Sequence, residues 1–294
     1  LDVLITNGAP TVTMKLNAPP DQAAEMRRYH RDFVQDDQAL IALGGVLPDE
    51  VTAVVRARIN PNLVSMVAGL LALGGGIAGD LLDPELRALD LQPLLLAPFD
   101  GQIAVALLGV SDDATPDLQQ WRGTGWRKLA GVAAAVALRT DTDATAVIDR
   151  VRSRLQENSA TFANVSLGEW RGIRRTGGRT SWALLRRDRG VFVILGEGEW
   201  ERFDRVARGK FPSLGSTLQG PLENAVTSGK GQWLSAVVTT GRTVRSARRR
   251  GIPNSITSMV ASVSAVALGV DLLDDGVRIS ASIRPRSAKM RKAK

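Results

Sequence analysis

The 294-residue sequence contains no cysteine and a single histidine, His30. The absence of cysteine excludes disulfides, thiolate metal sites and cysteine nucleophiles. One imidazole cannot make the usual nitrogen and sulfur site for zinc, and a serine–histidine–acid triad would have to use His30 without a G-x-S-x-G elbow. His30 lies among charged residues, which favours an ordinary surface side chain. We therefore predict no catalytic residue, no metal, no cofactor and no enzymatic activity.

Aromatic residues and long apolar runs are also scarce. Aromatics make up 4% of the chain, so the core must come mainly from its aliphatic side chains. No run reaches the roughly 18 apolar residues of a transmembrane helix; residues 63–82 come closest but contain five glycines and Asp80. The chain starts at Leu1 without methionine, so we expect a processed product whose targeting sequence is not visible.

Within that segment, Gly74, Gly76 and Gly79 have the spacing G-x-G-x-x-G. A dinucleotide-binding loop needs a short strand before the first glycine and a helix after the last. The preceding NLVSMVAGLLAL is too long and too helical, and Pro84 falls where the helix should still be running. The sequence favours a helix ended by glycine. An alternative use of the segment is the wall of an apolar-ligand site, with the candidate residues Leu70, Leu71, Ile77 and Leu81.

The chain is basic, with 38 lysines and arginines against 30 acidic residues, a net charge of +8 and a pI near 10.5. Such a balance favours acidic partners: nucleic acid, anionic lipid head groups or an acidic protein face. The segment from Arg284 onward contains no acidic residue, which is typical of an electrostatic contact with a membrane surface or an acidic protein. The candidate contacts for an anionic partner are Arg242, Arg245, Arg248, Arg249, Arg250, Arg284, Arg286, Lys289, Arg291 and Lys292.

Another basic cluster has tryptophans beside it. It consists of Arg171, Arg174, Arg175 and Arg179, with Trp170 and Trp182. Arginine next to aromatic residues can stack on bases and hold phosphates. Acidic residues such as Glu169 and Asp188 are interleaved with the cluster, and alternate arginines on amphipathic strands commonly face water. Nucleic-acid binding is therefore the third of our functional interpretations.

Alternating apolar and polar residues predict strands, and helical spacing of apolar residues predicts helices, in mixed order along the chain. Together they predict an α+β fold in which antiparallel sheets pack against helices. The predicted strands are 51–59, 101–110, 131–140, a series within 169–197, 232–241 and a C-terminal hairpin, and the predicted helices include 61–73, 83–96, 143–158 and 199–210.

The predicted organisation has four parts: an extended N-terminal arm and helix (1–45), a first α+β lobe (46–165), a second α+β lobe (166–284) and a basic tail (285–294). Two pairs of similar short segments suggest that the two lobes are similar. TAVV at 52–55 matches SAVV at 235–238, and AVALLGV at 104–110 resembles AVALGV at 265–270. Short alanine and valine strings recur by chance in such a composition, so a duplication stays open.

The strand series carries a family resemblance. WRGI at 170–173, VFVILGE at 191–197 and PSL at 212–214 follow a strand and an acid-capped helix. In this order the chain resembles, over about residues 46–284, the bacterial exported proteins grouped as the domain of unknown function 3352 family. These motifs correspond to strands and a loop. The resemblance implies an extracytoplasmic α+β protein, often anchored to an envelope, with no recognised catalytic residues.

These observations lead to a functional expectation. We expect a non-enzymatic, periplasmic or membrane-associated protein of the cell envelope that acts through binding or assembly. The N-terminal arm and the basic tail are the expected contacts, because extended termini rarely stay ordered without a partner. Protein partners come first and a membrane surface second. The alternative is a carrier or sensor of an apolar ligand such as lipid.

Overall fold

The computed structural model describes only part of the chain: residues 2–6, 9–17, 19, 21–22, 24–25, 28, 43, 45–58, 98–110, 130–139, 141–156, 161–175, 181–196, 198–218, 233–241, 261–273 and 275–285. Within these ranges there are twelve strands and three helices. In chain order they are β1 (Asp2–Thr6), β2 (Ala9–Asn17), β3 (Ala53–Arg58), β4 (Phe99–Val110), β5 (Ala130–Leu138), α1 (Ala144–Gln156), β6 (Phe162–Leu167), β7 (Trp170–Arg175), β8 (Trp182–Arg187), β9 (Gly190–Leu195), α2 (Glu199–Ala207), α3 (Leu214–Thr217), β10 (Leu234–Thr239), β11 (Val263–Leu273) and β12 (Gly276–Pro285). The chain divides into two compact units, unit 1 (1–58 and 212–294) and unit 2 (59–211).

Unit 1 contains six antiparallel strands in the order β1–β2–β12–β11–β10–β3. β1 and β2 form a hairpin, and β2 pairs with β12 from Thr11 opposite Ser282 to Asn17 opposite Gly276. A Cβ atom on Gly276 would lie only 2.9 Å from Asn17 Cα, so glycine is required for this close approach of β2 to β12. The pairing joins the beginning of the chain to its C-terminal hairpin.

Unit 2 contains six antiparallel strands in the order β4–β5–β9–β8–β7–β6. On one face of this sheet, α1 completes an apolar core with Leu138, Ala144, Val147, Ile148, Val151, Ile173, Trp182, Leu184 and Val191. On the other face, Phe203 of α2 packs against Phe192 with ring centroids 5.7 Å apart, and Phe192 packs against Trp170 at 5.3 Å. Unit 2 is therefore a sheet with a helix on each side.

The prediction of an α+β fold is wrong, because the described chain is mainly antiparallel β-sheet with three short helices. Part of the reason lies at the N-terminus. The alternating residues Thr11 to Leu16, predicted as an extended arm, are a strand that pairs with β12. β6 has no counterpart among the strands predicted from the sequence. The helices predicted at 61–73 and 83–96 lie outside the described residues.

Most other predicted elements are confirmed, because their apolar periodicity matches the surface that they bury. The strands at 51–59, 101–110, 131–140 and 232–241 are β3, β4, β5 and β10, the helices at 143–158 and 199–210 are α1 and α2, and the C-terminal hairpin is β11 and β12.

The two compact units are divided differently from the two predicted lobes, since residue 165 lies inside β6 of unit 2. TAVV at 52–55 overlaps the start of β3 and SAVV at 235–238 falls in β10; the two strands are neighbours in unit 1, with Ala53 opposite Val238. The second pair of strings falls in β4 of unit 2 and β11 of unit 1. The internal duplication stays a prediction.

Candidate interaction face

One side of the unit 1 sheet is lined by aliphatic residues. Successive residues of a strand point to opposite faces of a sheet, so the strand registers assign each side chain to a face. One row crosses five strands through Val12, Ala281, Leu268, Ala236 and Val55. We define the aliphatic face as this row with its neighbours on the same side: Val12, Met14, Leu16, Ala53, Val55, Ala57, Leu234, Ala236, Val238, Val266, Leu268, Val270, Leu272, Val277, Ile279, Ala281 and Ile283.

Most of the aliphatic face is open to solvent. Leu16 is 50% exposed, Val238 46% and Ile283 43%. Two members, Ala57 and Leu272, are buried, and the others are exposed or half-buried. Contiguous apolar surface of this kind is uncommon on a monomer and marks a site of interaction.

The reverse side of the same sheet carries its hydroxyls and charges, and in its buried part these lie beside the aliphatic residues Val54, Val237, Ala265 and Ala267. The hydroxyls of Thr11 and Ser282 lie 2.8 Å apart and form a buried hydrogen bond between β2 and β12. Ser235 and Thr239 of β10 are also buried, and the Thr239 hydroxyl donates to the Val51 carbonyl. Hydrogen bonding of this kind offsets the cost of burying hydroxyls. The sheet thus covers a side that mixes polar and apolar residues and leaves most of its aliphatic side open.

Two arginines strengthen this orientation. Arg56 on β3 is fully buried and Arg58 is 6% exposed, both on the reverse side. Burial, with a smaller contribution from the positive charge of Arg58, lowers the pKa of Arg56 to about 10. A buried guanidinium must be accommodated by the groups that surround it. The positions of Arg56 and Arg58 therefore assign the reverse side of β3 to the interior of the protein.

The charged side chains of β2, β11 and β12 also lie on the reverse side. Lys15 Nζ donates to Asp275 Oδ2 at 2.6 Å, and this hydrogen bond lowers the pKa of Asp275. Asp271 lies 3.9 Å from Arg278; burial raises the pKa of Asp271, and the arginine charge opposes that effect. The aliphatic face therefore carries no charge of its own.

One of the predicted contacts for an anionic partner, Arg284, lies among the described residues. It is half-buried, and its Nη1 donates to the carbonyl of Thr217 at the end of α3. This bond ties β12 to α3. The remaining basic candidates, the predicted ligand wall and His30 lie outside the described residues: Arg242, Arg245, Arg248, Arg249, Arg250, Arg286, Lys289, Arg291, Lys292, Leu70, Leu71, Ile77 and Leu81.

The arginine and tryptophan cluster is divided between the two faces of unit 2. Trp170 is 1% exposed on the α2 side and Trp182 is 4% exposed in the α1 core, so neither offers a ring to a base. Arg174 shares the α2 side with Trp170 and pairs with Glu201 at 2.6 Å. Arg171 is on the α1 side, and Arg179 lies outside the described residues.

The aliphatic face was not among the sites predicted from the sequence. The alternation of Val12, Met14 and Leu16 with polar residues was a signal for β2, but it does not tell which side of a sheet stays open. That outcome depends on the pairing of β2 with β12, more than 250 positions away in the chain.

The chain has no match among protein-family models, curated proteins or solved structures. The family resemblance stays a prediction. Within the part of the chain that the structure describes, no helix is long and apolar enough to span a bilayer, and no group of three His, Asp or Glu side chains is placed to hold a metal ion.

Proposed function

We propose that the protein is a non-enzymatic binding protein of the cell envelope that docks on an anionic lipid surface through the aliphatic face of unit 1. The observation that carries this proposal is the largely open aliphatic side of a sheet whose charges and hydroxyls lie on the other side. Moving a side chain such as Leu268, 38% exposed, from water into lipid contributes roughly 1 kcal/mol. Several such side chains acting together make a surface of useful affinity.

The composition of the face favours lipid over a protein partner. Energetic centres of protein interfaces are enriched in tryptophan, tyrosine and arginine, whereas the aliphatic face contains only alanine, valine, leucine, isoleucine and methionine. Acyl chains require no aromatic anchor and no hydrogen-bonding partner. A flat aliphatic surface therefore suits the acyl region of a lipid layer.

The positive charge that follows β12 in the chain favours an anionic lipid. β12, which contributes Val277, Ile279 and Ile283 to the face, is followed in the chain by residues 286–294. That stretch holds five basic residues and no acidic one. Stable attachment to membranes commonly combines an apolar element with a polybasic segment. The face and the tail supply these two elements.

Sedimentation with lipid vesicles tests the proposal. The full chain is mixed with phosphatidylcholine vesicles, with or without phosphatidylglycerol, and the bound fraction is measured. The double variant Val266→Thr/Leu268→Thr keeps strand-forming side chains while it reduces the apolar surface. We expect its affinity for phosphatidylglycerol vesicles to fall about tenfold, as expected for the loss of roughly 1–2 kcal/mol of transfer free energy.

Phe211→Ser is the matched control, because Phe211 is 49% exposed and lies in unit 2, outside the aliphatic face. It should bind vesicles as the unchanged chain does. Failure of the unchanged chain to bind either kind of vesicle would refute lipid docking and would favour a protein neighbour. Equal losses in the control and the double variant would refute the role of the face.

A further inference from the structure

Unit 2 contains a cleft of about 390 Å³ between α1 and the strands β6, β7 and β8. One flank of α1 lines it with Thr145, Ile148, Asp149 and Arg152, whose spacing places them along one side of the helix. The sheet contributes polar and small residues opposite the helix, namely Asn164, Val165, Ser166, Arg171, Gly172 and Arg186. The volume is within the range of small-molecule sites.

Two of the arginines face each other across neighbouring strands. Arg171 on β7 is directly opposite Arg186 on β8, and Ser166 on β6 is directly opposite Arg171. The next row of the same face is the buried pair Ile173 and Leu184. Within the described chain, neither Arg171 nor Arg186 forms a side-chain hydrogen bond or ion pair. Like charges directly opposite on adjacent strands destabilise a sheet.

The third arginine is held in place from the sheet. Arg152 Nη2 donates to Asn164 Oδ1 at 2.9 Å, and its Nη1 lies 3.9 Å from Asp149 Oδ1. The lining therefore brings three guanidinium groups together with one carboxylate. Asp143, at the start of α1, accepts the Thr145 N–H at 2.7 Å and is also influenced by the charge of Arg186.

From this arrangement we infer that the cleft binds the phosphate group of a phosphomonoester, with the arginines Arg152, Arg171 and Arg186 as its cationic contacts. A phosphate anion offsets the excess of guanidinium charge over the carboxylates of Asp149 and Asp143 and relieves the opposition of Arg171 and Arg186. Guanidinium groups match phosphate oxygens with paired hydrogen bonds, and the hydroxyl of Ser166 supplies a further donor. The cleft is larger than a phosphate, and Ile148 offers an apolar wall for the organic part.

The site lies wholly in unit 2 and is independent of lipid docking by unit 1. A small metabolite and a lipid head group are the two sources of such a phosphate, and both present the same monoester chemistry. Isothermal titration of the full chain with glycerol 3-phosphate tests the first source. Vesicles containing phosphatidic acid test the second, with Val266→Thr/Leu268→Thr as the background so that the aliphatic face contributes less.

The variant Arg171→Gln/Arg186→Gln should bind the responding probe at least tenfold more weakly. Its thermal unfolding midpoint should stay unchanged or rise, because the opposed charges are removed. Arg150→Gln is the matched control, since Arg150 is an exposed arginine of the same helix outside the cleft lining; it should bind normally. A response limited to glycerol 3-phosphate or to phosphatidic acid identifies the source of the phosphate.

Three results would overturn the inference. The unchanged chain could bind neither probe, or Arg150→Gln could lose as much affinity as the double variant, which would indicate a general charge effect. The double variant could also bind as the unchanged chain does while its unfolding midpoint falls, which would make the two arginines structural.

Discussion

At the scale of single residues, Arg56 is the side chain whose place in unit 1 is least expected from its chemistry. It is fully buried, and burial with the nearby charge of Arg58 lowers its pKa to about 10. In the unfolded chain its pKa returns to the higher value of an ordinary arginine. The charged form of Arg56 is thus less favourable in the folded protein, and it lowers the free energy of unfolding at every pH below about 10.

The lowered pKa predicts that Arg56 destabilises the folded protein less as the pH rises above neutral. Between a pH of about 10 and the ordinary arginine pKa, the unfolded state binds more protons than the folded state, so the free energy of unfolding rises with pH. Relative to Arg56→Met, the unchanged chain should gain on the order of 1 kcal/mol between roughly pH 9 and pH 11. Urea unfolding of both proteins at the two pH values measures the difference. A difference that does not change with pH would contradict the lowered pKa.

At the scale of elements, the β1–β2 hairpin is a structural part of unit 1. β2 covers the edge of β12 and supplies the buried hydrogen bond between Thr11 and Ser282. Deletion of residues 1–17 should therefore leave β12 as an open edge strand and favour pairing between molecules. We expect a lower midpoint of thermal unfolding and light scattering that increases with protein concentration.

Deletion of residues 286–294 is the comparison for that experiment, because it leaves every described strand intact. It should change neither the midpoint nor the scattering. A chain without residues 1–17 that unfolds at the original temperature and stays monomeric would show that the hairpin is dispensable. The experiment also separates a structural role of the N-terminal segment from the contact role that its sequence suggested.

The secondary-structure elements also show which parts of the fold could be predicted from the sequence. Strands and helices with strong periodicity, such as β3 and α1, were predictable because local side-chain spacing determines them. β6 was missed, although Phe162 to Leu167 lead into the turn at Gly168. The aliphatic face was not predictable, because alternation defines two faces but burial of one depends on distant contacts. Arg171 opposite Arg186 likewise required the register of β7 and β8.

At the scale of the whole molecule, the excess of positive charge gives the two proposed sites a common preference. The net charge of +8 attracts anions to any part of the surface. Specific binding must therefore be separated from this general attraction. The aliphatic face should respond to loss of apolar area, and the cleft to loss of particular arginines, whereas general attraction responds to charge and salt alone.

The basic tail makes this separation measurable. Deletion of residues 286–294 removes five positive charges and none of the aliphatic face. Each lysine or arginine near an anionic membrane contributes about 1 kcal/mol at physiological ionic strength, so affinity for phosphatidylglycerol vesicles should fall at least tenfold. Binding to pure phosphatidylcholine should be unchanged, since it depends on the face.

The salt dependence of vesicle binding is a second measurement. With salt titrated from about 0.05 to 0.5 M, the truncated chain should show a weaker salt dependence than the full chain, because fewer charges remain to be screened. If truncation lowered binding to both kinds of vesicle equally, the tail would be acting through the fold of unit 1, and the division between an apolar face and an electrostatic tail would be wrong.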